Sequence, residues 1–248
     1  MKINIVQICD PGYDHRGWIG CNAIKKYCQL NGYKYTFFRE NLCEDLKPQF
    51  NKMEAAVKIL QQDKSSDYII VLDADLLPID LNQGIEDFIS KDSNVFFQAP
   101  FDCWVTQKDG WDRRVQELNP YGRPWMEFPE KFSFYLKHKK INSCFMVWKN
   151  CNKSLKFNQD WLSFARDPKY KKTAISSAPT QSIFQECLVD HISNEDIFYL
   201  DFRYIGMPYS KFIKHLRPSD DKDLHQYWCN LGKPNYGHVE IPKRILEK

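Results

Sequence analysis

The chain has 248 residues, of which 43% are hydrophobic and 27% charged, so it is no disordered polymer and can bury a sizeable core. A net charge of +3, with Lys137-His138-Lys139-Lys140 as the longest basic cluster, excludes the concentrated basic face of a nucleic-acid binder. No run of 18 apolar residues occurs, which argues against a membrane-spanning helix.

In chain order, Ile3 to Cys9 is a β-branched run that stops at Asp10-Pro11-Gly12, the pattern of a buried first strand and a turn. Trp18 to Asn31 predicts a helix closed by Asn31-Gly32. A second strand follows at Tyr33 to Phe38. Pro48 opens a helix in which Phe50, Met53, Val57 and Leu60 recur at helical spacing and Lys52 lies off the apolar stripe. Tyr68 to Leu72 is apolar throughout, as in a strand covered on both faces, and Val95 to Ala99 is a fourth strand. Strands alternating with helices predict an α/β fold with a mostly parallel central sheet flanked by helices, and ligands of such sheets sit at the carboxyl ends of the strands. From about 100 to 140 the pattern dissolves into a stretch rich in Trp, Pro, Gly and charge, and long irregular segments of compact domains are usually functional. Ile141 to Trp148 reads as another strand, Gln181 to Val189 as a helix and Phe198 to Tyr204 as a last strand. No linker divides the chain. It reads as one domain over 1–248, with two halves that divide at about residue 100.

The nine cysteines are odd in number and scattered, without a Cys-x-x-Cys, so a structural zinc site is not expected. With no secretory leader in Met1 to Ile8, they predict free thiols in a soluble cytoplasmic protein. Aromatic residues reach 15%, and filling the core is their favoured role over lining a sugar site.

The most informative segment is Asp67-Tyr68-Ile69-Ile70-Val71-Leu72-Asp73-Ala74-Asp75-Leu76-Leu77-Pro78. A hydrophobic strand delivers two carboxylates, one residue apart, to its carboxyl tip. Oxygen donors of this kind suit Mn²⁺ or Mg²⁺, and such a cation can bridge two phosphates and neutralise a departing diphosphate.

This strand resembles the Asp-x-Asp strand of GT-A glycosyltransferases. Phe50-Asn51-Lys52-Met53 through Asp80 is similar to the aromatic-x-Lys-Ile helix and Asp-x-Asp strand of glycosyltransferase family 34, the α-galactosyl- and α-xylosyltransferases, and more weakly to family 8. Three later segments follow the same order. Ile141-Asn142-Ser143-Cys144-Phe145 resembles the strand beside the sugar site, Pro179-Thr180-Gln181 the start of the acidic-Gln helix, and Lys211 to Leu216 the strand ending in a metal-binding His. The chain departs from the families in having Cys144 where Gly is favoured and Thr180 where an acid is usual. No Gly-x-x-Lys-Pro follows His215, so His238 stands as a rival third metal ligand.

The resemblance implies a GT-A fold, a UDP-sugar donor, a glycan or glycoprotein acceptor, and Mn²⁺ or Mg²⁺ held by Asp73, Asp75 and His215. Ile8, Cys9, Asp10 and Tyr13 are the candidates for the nucleotide, with Asp73 also touching the ribose. Lys52, Lys214 or Lys222 are candidates for the phosphates. Asp102 and Asn142 are candidates for the sugar hydroxyls, with Gln181 facing the anomeric carbon. It further implies retention of anomeric configuration, in which the leaving phosphate takes the proton. An inverting enzyme would need a carboxylate base, and nothing selects among Glu186, Asp102 and Asp190.

Two other readings compete. A haloacid-dehalogenase-like phosphatase also sets Asp-x-Asp after a strand, but usually the first, and with Gly-Thr or a similar pair behind it. A non-catalytic carbohydrate-binding protein could share the fold. A dinucleotide enzyme is disfavoured by the lack of Gly-x-Gly-x-x-Gly.

Overall fold

The computed structural model describes residues 1–10, 14–100, 141–176, 178–201, 204–207 and 210–215. The irregular segment near 102–140 lies outside the described residues, as do Tyr13, Asp102, Lys222 and His238.

The first strand, β1 (Ile3–Ile8), is buried along its length. Ile3 and Ile5 pack into one layer and Val6 and Ile8 into the other, so a continuous apolar run serves two faces. The helix α1 (Asp14–Asn31) ends where Gly32 takes φ 70°, and the Tyr33 N–H turns back to Cys28 O at 3.0 Å. This left-handed cap satisfies carbonyls that the last turn leaves open. Next, β2 (Lys34–Phe38) pairs parallel with β1. A 3₁₀ turn begun by Pro48 leads into α2 (Asn51–Gln62). The apolar stripe understates this helix: Asn51, Lys52, Ala55 and Ala56 are buried as well, because α2 is enclosed between the sheet and a further helix. Then β3 (Tyr68–Asp73) lies parallel to β1 on its other side, with Ile8 opposite Asp73.

Beyond β3 the order is less regular. A short strand, β4 (Leu76–Pro78), leaves the sheet, and β5 (Phe97–Pro100) does not pair with β3. Between them runs β6 (Phe145–Lys149), antiparallel to both. At the edge, β7 (Ile197–Leu200) is parallel to β5. The order is β2-β1-β3-β6-β5-β7, a mixed sheet in which three pairings are parallel and two antiparallel. Parallel neighbours need a crossover, whereas a long connection such as the one before β6 can bring the chain back in either direction.

The helix α3 (Asn152–Arg166) has no counterpart in the sequence reading. Its inward residues are Ser154, Phe157, Asn158, Trp161, Leu162 and Ala165, which is helical spacing, but two of them are polar and hide the stripe. Both find local partners: Ser154 Oγ donates to Lys149 O at 2.6 Å, and Asn158 Nδ2 to Ser154 O at 2.9 Å. After a single turn, α4 (Lys171–Ala174), comes α5 (Pro179–Ile183), which widens into a π-helical turn over Phe184–Leu188. Lastly β8 (Ile205–Met207) and β9 (Ile213–His215) join β4 in a small second sheet, ordered β4-β9-β8.

The α2–α3 layer is cemented by aromatics. Phe97 and Trp148 stack at 4.3 Å between ring centroids, and Phe157, Trp161 and Phe184 close around them. These rings fill the core, as expected for most of the aromatic excess. No helix among the described residues is long and apolar enough to cross a membrane.

Candidate active site

The carboxyl end of β3 is fixed from several directions before its side chains are considered. The Asp73 N–H donates to Cys144 O at 2.8 Å across the antiparallel pair with β6. On the β1 side, buried Gln7 donates from Nε2 to Asp73 O at 3.1 Å, and Tyr35 holds Gln7 Oε1 at 3.0 Å. Beneath the Asp-x-Asp loop, α1 approaches without a side chain. A Cβ on Gly20 would stand 2.2 Å from Ala74 O and 2.7 Å from Leu76 O, so only glycine lets the helix reach this depth.

Asp75 leads into β4, and β4 pairs antiparallel with β9 so that Leu76 faces His215. That register sets His215 Nε2 3.2 Å from Asp75 Oδ1. One donor atom from each of Asp73, Asp75 and His215 lies within 4.8 Å of the other two. The side chains of Asp75 and His215 are only 10% and 14% exposed, so their electrostatics are poorly screened. Burial alone would favour neutral imidazole, but the Asp75 carboxylate outweighs it and holds the His215 pKa well above its ordinary value. Two carboxylates and an imidazole form an N/O donor set that fits Mn²⁺ or Mg²⁺. Among the described residues, the buried His215 Nδ1 has no hydrogen-bond partner.

Asp73 opens on a cleft of about 220 Å³ whose walls are Ile8, Asp10, Pro48, Gln49, Asn51, Lys52, Ala74 and Asp75. The ends of β1 and β3 thus share one hollow, as the paired register of Ile8 and Asp73 requires. A larger hollow of about 730 Å³ lies at the opposite end of the sheet, near Lys64, Tyr68 and Lys149, away from the carboxylates.

Lys52 enters the cleft from α2 and pairs with Asp73 Oδ1 at 2.6 Å. It also donates to Ser143 O at 2.8 Å and to Ser143 Oγ at 3.3 Å. Sequence placed Lys52 near the phosphates; it did not show that the ammonium lies against the first aspartate. Lys52 shares α2 with Asn51, Glu54, Lys58, Gln61 and Gln62, so its sequence context alone does not single it out.

The other candidates are placed as follows. Cys9 is buried against Cys21 and Ala74, away from the cleft walls, and its N–H donates to Phe38 O at 3.0 Å. Asn142 precedes β6, and its Oδ1 accepts the Cys144 N–H at 3.0 Å. Gln181 opens α5 and donates from Nε2 to Ile141 O at 3.3 Å. Thr180, in the place of the usual acid, is buried with its hydroxyl 2.9 Å from Ser143 Oγ. Lys214 lies on β9 opposite Leu77, with its side chain outside what is described. Cys144 donates from Sγ to Gly206 O at 3.4 Å. Gly206 has φ 90°, and a Cβ there would meet Cys144 Sγ at 3.0 Å, so thiol and glycine fit as a pair.

No protein-family model and no curated protein matches the chain. Solved structures do. A glycosyltransferase involved in glycosylation of the major capsid of PBCV-1 superposes with a TM-score of 0.63 at 13% identity, covering 92% of this chain and 98% of that one. The glycosyltransferase GlyE of Streptococcus pneumoniae TIGR4 gives 0.53 at 12% identity, covering all of this chain and 62% of that one. At such identities the likeness concerns the fold: a mixed α/β sheet flanked by helices, the architecture of GT-A glycosyltransferases.

Proposed function

We propose that the chain is a glycosyltransferase that moves a hexose from a nucleotide-sugar, a UDP-sugar in the first instance, to a hydroxyl of a glycan or glycoprotein acceptor. The observation that carries the reading is the cluster of Asp73, Asp75 and His215 at the carboxyl end of β3, on the rim of the cleft that Ile8 and Asp10 close. In an α/β sheet this is where a ligand binds.

Two carboxylates facing a diphosphate repel it by about 4 kcal/mol per charge pair at 4 Å and an effective dielectric near 20. Mn²⁺ or Mg²⁺ held by the three side chains would supply the positive charge that draws the diphosphate in and stabilises it as it leaves. The chain's own groups then orient the donor. Asp10, the backbone at Ile8 and Cys9, and Tyr13 are assigned to the nucleotide. Asn142 and Gln181 belong to segments tied to Lys52 through Ser143, which supports a role for them in holding the sugar hydroxyls. Asp102 is proposed for the same task. Because Thr180 is buried and bonded to Ser143, it offers no base to an acceptor. That supports retention, with the leaving phosphate taking the acceptor proton. The division into a donor half to about residue 100 and an acceptor half beyond it, and residence in a reducing cytoplasm, belong to the same proposal.

The test is release of free nucleotide from a panel of nucleotide-sugars with Mn²⁺ and with EDTA. Metal-dependent release from one UDP-sugar is expected. Cleavage of simple phosphate monoesters with every nucleotide-sugar left intact would favour a phosphatase and sink the proposal.

A further inference from the structure

Lys52 is anchored in a way that a phosphate-seeking arm is not. An ammonium has three N–H donors, and here three oxygens take them: Asp73 Oδ1, Ser143 O and Ser143 Oγ, at 2.6, 2.8 and 3.3 Å. The side chain is 9% exposed, against 28% for its partner Asp73. Behind it, Ser143 Oγ meets Thr180 Oγ1, and Thr180 O accepts the Trp161 indole N–H at 3.2 Å. The ammonium is therefore braced through two hydroxyl residues against the aromatic core, and it cannot swing out without stranding buried oxygens.

We propose that Lys52 is a fixed counter-charge of the metal centre, which disfavours loading by a divalent cation alone and favours the diphosphate. The inference rests on the metal-centre reading above. Asp73 and Asp75 bring two negative charges to the rim of the cleft, and Lys52 offsets the charge of Asp73, which it touches. A cation arriving alone meets the repulsion of the ammonium at the carboxylate it must share. A diphosphate arriving at the same cleft meets its attraction. One buried charge thus acts with opposite sign on the two ligands, and the state it suppresses most is the one with metal and no nucleotide.

The opposite signs make the test specific. Calorimetric titrations use Mn²⁺ alone, and UDP in saturating Mn²⁺, on wild type, Lys52→Gln and Lys52→Arg. Gln keeps hydrogen-bond donors without the charge; Arg keeps the charge. Lys52→Gln is expected to bind Mn²⁺ about tenfold or more tighter and UDP about tenfold or more weaker than wild type, as the loss of one poorly screened charge requires. Lys52→Arg should lie close to wild type for both. Thermal unfolding checks the fold, and Lys52→Met, of similar length and no charge, replaces Gln if that variant does not fold. Weakening of both ligands together would mark Lys52 as merely structural and overturn the inference, as would unchanged Mn²⁺ affinity. Failure of wild type to bind UDP with Mn²⁺ at all is a different result: it removes the metal-centre reading itself, and this inference with it.

Discussion

At the residue scale, the site is a small set of charges held at short range, and each can be removed singly. Asp75→Asn keeps the size and one acceptor oxygen but takes away the charge facing His215. Groups of this kind are worth ~3–4 kcal/mol at a transition state, a rate loss of about 10²–10³. Steady-state nucleotide release should show that loss; thermal unfolding should show a drop in Tm from the broken Asp75–His215 pair, with the protein still folded at the assay temperature. Asp63 tests stability instead of chemistry. Burial opposes its charge, but donors from Ser65, Ser66, Asn4 and Lys34 outweigh burial and hold its pKa well below the usual carboxylate range. Its folded pKa lies below the unfolded one, so its stabilisation is complete above the unfolded value and fades as pH falls toward the folded value. Asp63→Asn should cost ~2–3 kcal/mol at neutral pH, because its donors lose a charged acceptor. The deficit should shrink below about pH 4, as read by denaturant titrations at several pH values. How much of the site the sequence showed also divides at this scale. Asp73 and Asp75 were visible because a hydrophobic strand ends at them. The contact of Lys52 with Asp73 depends on how α2 is rotated against the sheet. The support from Gln7 and the Ser143–Thr180 pair depends on cross-strand register, which a single sequence does not print.

At the scale of elements, two glycines separate close packing from backbone freedom. Gly20 lets α1 touch the carbonyls of Ala74 and Leu76, so Gly20→Ala forces the helix and the Asp-x-Asp loop apart. Overpacking of this kind costs ~3 kcal/mol, and here it should also lower nucleotide-release activity, because the displaced loop carries Asp73 and Asp75. Gly32 has φ 70° and open space around it. Gly32→Ala should cost only ~1–2 kcal/mol, from the left-handed backbone alone, with activity per folded molecule unchanged. Parallel melts and assays of the two variants check the contrast; equal effects on activity would refute it. The elements most legible in the sequence were those with unbroken patterns: β1, β2, α2 and β3. Those missed had a physical excuse. Ser154 and Asn158 interrupt the stripe of α3, and β4 has only three residues, too few for any period to register. The antiparallel course of β6 is a property of its partners.

At the scale of the whole molecule, ligand and thiol measurements probe the assembled fold. A ligand at 100 times its Kd adds roughly 2.7 kcal/mol to stability, which for a chain of this size means a rise in Tm of about 5–10 °C. UDP with Mn²⁺ should give that rise and EDTA should cancel it. The seven cysteines of the described residues are all free of disulfides, and all but Cys151 are buried. Thiol titration of denatured, unreduced protein should therefore find at least these seven; a count below seven would contradict the structure.

The position of β6 has a consequence for how the protein is made. A ribosome delivers β1, α1, β2, α2 and β3 first, and together they can form a three-stranded sheet. Its open margin is then β3, whose Ile69, Ile70, Val71 and Leu72 are fully buried in the finished molecule. The strand that covers this margin begins only at Phe145, after β5 and the long connection have been synthesised. A nascent chain stalled before that point shows a bare, uncharged strand margin, the feature that invites aggregation. Chaperone capture should therefore concentrate on arrested chains whose emerged part ends between about residues 100 and 145, and fall once β6 has cleared the exit tunnel.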